Sequence, residues 1–168
     1  MTKSNQEESN SSIPYKIEIV FENSFRFTTS QDVNYKLSFY PFNSIIGFVN
    51  NQIPCFSFDF EPDKKTNSKN ARIGKTIISL IIDFFKNNDA VLFYLCNPDG
   101  KQHVRNYLFN KWYDSNNGDN FFIKEDAILT IDETNRYYFS IIFRKDSKNA
   151  KVIIESFKSS INELVDKP

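Results

Sequence analysis

The chain reads as an α+β domain with one mixed or antiparallel sheet, in the order β-β-β-β-α-β-α-β-β-α. Three observations predict this. Several short segments alternate apolar and polar residues as half-buried strands do. Three longer segments repeat apolar residues at three- and four-residue spacing, and one run, Val91–Cys96, is apolar throughout.

The first twelve residues are rich in Ser, Asn, Gln and Glu and have the composition of a disordered tail, so a single domain is expected over residues 13–168. Tyr15-Lys16-Ile17-Glu18-Ile19 opens the first strand. Phe25–Thr28 and Tyr35–Phe39 alternate likewise, with Ser30-Gln31-Asp32 as the turn between them. Cys55–Phe60 sets Phe56, Phe58 and Phe60 on one face and Ser57 and Asp59 on the other. A polar, lysine-rich loop, Glu61–Asn70, follows. Asn70 then caps a helix over Ala71–Lys86, in which Ile73, Ile77, Leu80, Ile81 and Phe84 form one stripe, widened by Ile78, Ile82 and Phe85.

Val91–Cys96 has the character of a central strand covered on both faces. Asn97-Pro98-Asp99-Gly100 breaks it, and helical spacing resumes over Lys101–Tyr113. Asp99 as cap and Gln102 three residues on make a capping-box pattern. Arg105, Phe109 and Trp112 share one face of this helix, beside Val104 and Leu108. After a polar loop at 114–120, Phe121–Ile131 and Arg136–Phe143 form a hairpin that turns at Asp132–Asn135. Ile154, Phe157, Ile161 and Leu164 mark a last amphipathic helix over Asn149–Val165.

With 168 residues the chain can bury a substantial core. Its 21 basic and 21 acidic side chains balance, which argues against tight non-specific nucleic-acid binding. Two cysteines, Cys55 and Cys96, are too few for a disulfide scaffold and read as buried thiols. No apolar run approaches a membrane span, and the polar N-terminus does not read as a secretory signal, so a cytoplasmic protein is expected.

The sequence carries no P-loop, dinucleotide glycine pattern or zinc-ligand spacing, so no metal site is expected. Cys96, His103 and Asp99 have the residue types of a nucleophile, base and orienting acid. Against this, Cys96 closes an apolar strand and Asp99 has a capping task. Arg105 suits an anion or carboxylate, since its planar fork makes paired hydrogen bonds, and it equally suits an internal partner. Three basic clusters flank helix starts, where backbone N–H groups also attract anions: Lys64, Lys65, Lys69, Arg72 and Lys75; Lys101, Arg105 and Lys111; Arg144, Lys145, Lys148 and Lys151.

The block from Cys96 through Asp99-Gly100-Lys101-Gln102 and Arg105 to Phe109 and Trp112 resembles the hallmark of an uncharacterised bacterial single-domain family. The order of strands, a helix opening Arg72-Ile73-Gly74-Lys75, a strand ending at Asn97, a helix and a hairpin resembles the core of GCN5-related acetyltransferases. That resemblance implies acyl-CoA, its pyrophosphate held at Arg72, Gly74 and Lys75. The family's usual tyrosine acid aligns with Phe109, leaving Tyr107 or Tyr113 to substitute. The function expected is a binding module for an unknown protein or small anionic ligand, without a cofactor. Its expected surface joins Arg72, Gly74 and Lys75 to Asn97, Asp99, His103, Arg105 and Trp112. An acyl-CoA-binding, acetyltransferase-like enzyme and a nucleic-acid-associated regulator are the alternatives.

Overall fold

The computed structural model describes residues 13–65, 70–96, 100–117, 120–130 and 136–165. Among these, seven strands and four helices build an α+β fold. They are β1 (Glu18–Phe21), β2 (Ser24–Thr28), β3 (Asn34–Pro41), α1 (Ile46–Asn50), β4 (Cys55–Pro62), α2 (Ala71–Asn87), β5 (Val91–Cys96), α3 (Gln102–Asn116), β6 (Phe122–Thr130), β7 (Arg136–Arg144) and α4 (Ala150–Val165). The strands form one mixed sheet in the order β1-β2-β3-β4-β5-β7-β6, with β4 parallel to β5. Among the described residues no helix is long and apolar enough to cross a membrane. The expected N-terminal tail and the turn at Asp132–Asn135 lie outside the described residues. The residues fall into two compact units, one of residues up to Phe39 with Asp59–Lys86, the other of Tyr40–Phe58 with residues from Asn87 on.

In the first unit, β1, β2 and β3 form an antiparallel meander. The turn after β2 uses Asp32 at φ 56°, a conformation that aspartate tolerates better than most residues. The expected stripe of α2 is buried: Ile73, Ile77, Leu80, Ile81, Phe84 and Phe85. Phe39 stacks on Phe84 with ring centroids 4.3 Å apart. A second stack runs from Tyr15 to Phe27 and on to Tyr35, at 5.6 and 5.0 Å. The sequence puts a strand from Tyr15, yet β1 begins at Glu18. The cause is a competing bond, since the Tyr15 backbone N–H donates to Thr76 Oγ1 at 2.8 Å rather than to a sheet ladder. Asn70 caps α2 as its composition predicts, its side-chain oxygen accepting from the Arg72 N–H at 3.0 Å.

The second unit is organised by β5, whose residues are buried apart from Leu95. Side chains alternate across a sheet, so its strands build two different surfaces. Val91 and Phe93, opposite Phe143 and Ile141 of β7, join Phe48, Ile153 and Phe157 in an apolar core supplied by α1 and α4. Of the stripe expected on α4, Phe157 is buried and Leu164 is 43% exposed, while Ile153, outside that stripe, is fully buried. The sequence reading contains no helix at α1. Five residues give too little length for a periodic signal, and its N-cap, Ile45, makes no side-chain capping bond.

Gly47 lets α1 approach α4 closely, because a Cβ built there would lie 2.7 Å from Ser156 Cβ. Gly47→Ala is therefore expected to destabilise the fold by about 1–3 kcal/mol through overpacking. In a double-mutant cycle Ser156→Gly should offset part of that loss. Urea unfolding of the single and double variants measures both effects, and additive losses would show that the two residues do not clash.

Candidate functional site

The expected site residues fall in both compact units. In the first, Arg72 lies in the opening turn of α2. Its guanidinium sits 3.9 Å over the Tyr15 ring, and its Nε donates to the Ile13 carbonyl at 2.6 Å. The same side chain reaches the Pro14 carbonyl at 3.4 Å. Arg72 thus fastens residues 13–15 to the helix. Gly74 is buried and Lys75 exposed.

In the second unit, Asn97 and Asp99 lie outside the described residues. The helix that follows begins at Gln102, with Lys101 at the N-cap and no side-chain capping bond. Gln102 is thus the first helical residue, two positions too early for the reciprocal partner of a capping box. It is buried instead, and its Oε1 meets no hydrogen-bond partner among the described residues. His103 is exposed on the first turn, while Cys96 is 1% exposed at the end of β5. A thiol so sealed is poorly placed to attack a substrate. Arg105, Phe109 and Trp112 are all half-buried, as their shared face predicts. Phe109 packs against Tyr94 at 4.7 Å and takes the edge of Trp112 at 5.6 Å.

Beneath α3 lies a row of polar groups. Tyr94 of β5 is opposite Ser140 of β7, and Ser140 is opposite Asp126 of β6, so the three stand in register across adjacent strands. The fully buried Ser140 hydroxyl donates to Asp126 Oδ1 at 2.5 Å. Lys124, two residues from Asp126 and so on the same face, pairs with that same oxygen. The Lys124 side chain is only 4% exposed, whereas that of Asp126 is 50% exposed. The Tyr94 hydroxyl faces Ser140 without completing a well-formed hydrogen bond. Burial pushes the Tyr94 phenol far above its ordinary pKa, and the nearby Asp126 charge adds to this.

At the far end of α3, the Tyr113 hydroxyl donates to the Phe122 carbonyl at 2.9 Å. Its pKa is raised as well, first by burial and then by Asp114. Asn117 reaches the same carbonyl at 3.0 Å and receives the Phe122 N–H at 2.9 Å. These bonds tie the helix end to the start of β6.

The row was missed by sequence reasoning, although a signal existed. Lys124 and Asp126 stand two residues apart in a strand, so they share one face of β6. Most of the row is withdrawn from solvent: Ser140 and Tyr94 are buried, and the buried Lys124 is paired with its carboxylate. Asp126 is the member whose side chain reaches solvent. What α3 offers outward is different, with Val104, Tyr107 and Leu108 at 54, 67 and 37% exposure. Only Gln102 of this helix is buried.

Asp126→Ala would leave the buried Lys124 ammonium unpaired. The expected loss is about 3 kcal/mol, the low end for a broken buried pair because Asp126 is itself half-exposed. Guanidinium unfolding measures it, and a loss below about 1 kcal/mol would class the pair with surface ion pairs.

Comparison with known proteins places this geometry in a wider group. A search of curated proteins finds no match to the chain. The model of a family of unknown function, DUF6169, matches residues 69–159. The matched stretch contains α2, β5, α3, β6 and β7 whole, together with the first ten residues of α4. More than half of the sequence is thereby accounted for, and the chain belongs to DUF6169, a family of unknown function.

Proposed function

We propose that this domain is a binding module that works through the outer face of α3. One observation carries the reading. A helix that buries a single residue while exposing Val104, Tyr107 and Leu108 spends its apolar surface outward. Clustered exposed apolar residues, rimmed by polar ones, mark contact surfaces. Lys101, His103 and Lys111 supply such a rim and are exposed. In the row beneath, Tyr94 and Ser140 are buried. A cytoplasmic setting accords with two buried cysteines, Cys55 and Cys96, that form no disulfide. Burial raises the Cys55 thiol to about 12, so it stays protonated and inert.

Nucleic acid is the weaker partner. Several cations of the basic clusters already have internal partners: Arg72 on the Ile13 carbonyl, Arg144 on Asp146 at 2.6 Å, and Lys151 near Glu155 at 3.8 Å. Leu108→Asp and Tyr107→Asp, both at the surface, should change stability by no more than about 0.5 kcal/mol. Each is expected to abolish capture of partners from the source cell, read by affinity isolation and mass spectrometry against the wild-type chain. An unchanged partner set from folded variants overturns the reading.

A second reading takes acyl-CoA as the ligand, and the sheet order favours it. β4 and β5 are parallel neighbours in an otherwise antiparallel ladder, and α2 opens on the connection between them. The order of elements accords with the acetyltransferase likeness, though fold likeness alone does not carry function. On this reading the exposed Lys75 would meet the pyrophosphate beside Gly74, with Arg72 holding the helix start in place. Phe109 has no hydroxyl and Tyr113 is committed to Phe122, which leaves the exposed Tyr107 as the candidate acid for any transfer step. CoA at 100 times its dissociation constant stabilises by about 2.7 kcal/mol. The expected result is a rise in Tm with millimolar CoA that Lys75→Glu reduces; an unmoved Tm removes this reading.

A further inference from the structure

We infer that the polar row beneath α3 is a binding site for a small neutral molecule that presents a carboxamide on a flat apolar body. The inference goes beyond the outer-face reading and does not depend on it.

The row has hydrogen-bonding groups left over. Asp126 Oδ1 receives both the Ser140 hydroxyl and the Lys124 ammonium, and Oδ2 has no partner among the described residues. An ammonium carries three N–H donors. Lys124 uses one on that carboxylate, and its only other polar or ring contact among the described residues is with the Tyr94 ring, 6.0 Å away. Its side chain is 4% exposed, so the remaining donors are withdrawn from water. The Tyr94 hydroxyl, in a residue 6% exposed, also meets no partner. Buried polar groups are ordinarily paired, and leaving one unpaired is costly.

These groups share one face. Tyr94, Ser140 and Asp126 stand in register on three adjacent strands, which span about 10 Å, and Lys124 is two residues from Asp126. The unused groups are therefore donors on Lys124 and Tyr94 beside one carboxylate oxygen. An amide answers both, because its carbonyl accepts from Lys124 and Tyr94 while its N–H donates to Asp126 Oδ2. Charge leads to the same choice. Lys124 and Asp126 already cancel, so a neutral group adds no net charge to a buried place. A carboxylate would set an oxygen against Oδ2, and an amine would face the ammonium. The rings beside the row select the body of the molecule. Phe109 lies 4.7 Å from Tyr94, with Trp112 edge-on to it at 5.6 Å, and both are half-buried. Such a wall suits a flat apolar ring. Asp126, whose side chain is 50% exposed, marks the side open to solvent.

Benzamide is the probe, titrated into the full chain while NMR follows the backbone amides of β5, β6 and β7. Saturable shifts centred on Tyr94, Lys124 and Ser140 are expected, with a dissociation constant of about 0.1–10 mM for so small a molecule. Tyr94→Phe keeps the ring and removes the hydroxyl, and should weaken benzamide at least about fivefold. Benzoate should bind at least about tenfold more weakly than benzamide, and Asp126→Asn should reverse that preference, since the side-chain amide donates where the carboxylate repelled. Should Asp126→Asn fail to fold, the wild-type preference and Tyr94→Phe decide. Benzamide without effect at about 20 mM overturns the inference. So does binding indifferent to the Tyr94 hydroxyl, equal binding of benzoate, or a folded Asp126→Asn variant that still prefers benzamide. Shifts confined to Val104, Tyr107 and Leu108 overturn it too, and assign the molecule to the exposed face.

Discussion

β5 is the constraint on which the second unit depends. It pairs along its whole length with antiparallel β7 on one edge and, over Val91–Phe93, with parallel β4 on the other. Both of its faces are then covered by helices, which explains a run of six residues with no charge among them. The two faces are not equivalent. Val91 and Phe93 enter a dry apolar core with Ile153 and Phe157, whereas Tyr94 opens a polar line toward Ser140 and Asp126. A one-residue slip in β5 would exchange the two sets and bury the tyrosine hydroxyl among aliphatic side chains.

That asymmetry explains why the helices differ. α4 packs on the apolar side and buries Ile153 and Phe157. α3 rests on the polar side, where half-buried aromatic rings and side-chain hydrogen bonds hold it. Phe109 on Tyr94 and Tyr113 on the Phe122 carbonyl fix its middle and its C-terminal end to different strands. A helix held this way needs little apolar surface inward, and what remains is available for another molecule.

Much of the fold was legible because it is written in local periodicity. The bounds of β5 match the reading, and those of α2 and the β6–β7 pair fall within a residue or two, each marked by an uninterrupted apolar run or stripe. The misses have a common origin in long-range partners. α1 depends on its packing against α4 through Gly47, 109 positions from Ser156 (156 − 47). The late start of β1 depends on Thr76, and the absent capping box on where the chain enters α3. The row from Tyr94 to Asp126 exists only once three strands are in register, so Ser140 reads locally as a solvent-facing residue. On α3 the sequence identified the half-buried face of Arg105, Phe109 and Trp112, but read Tyr107 only as a substitute acid and Leu108 only as a neighbour of that face. Their exposure becomes visible only when the opposite side of the helix is seen to be occupied.

The aromatic contact at the centre of α3 has an optical corollary. Trp112 is the chain's sole indole, and it leans edge-on against the ring that rests on Tyr94. Nearly all intrinsic emission excited at long ultraviolet wavelengths therefore originates from this one helix. Its colour and polarisation track whether that segment stays seated on the sheet, giving an unlabelled beacon on α3.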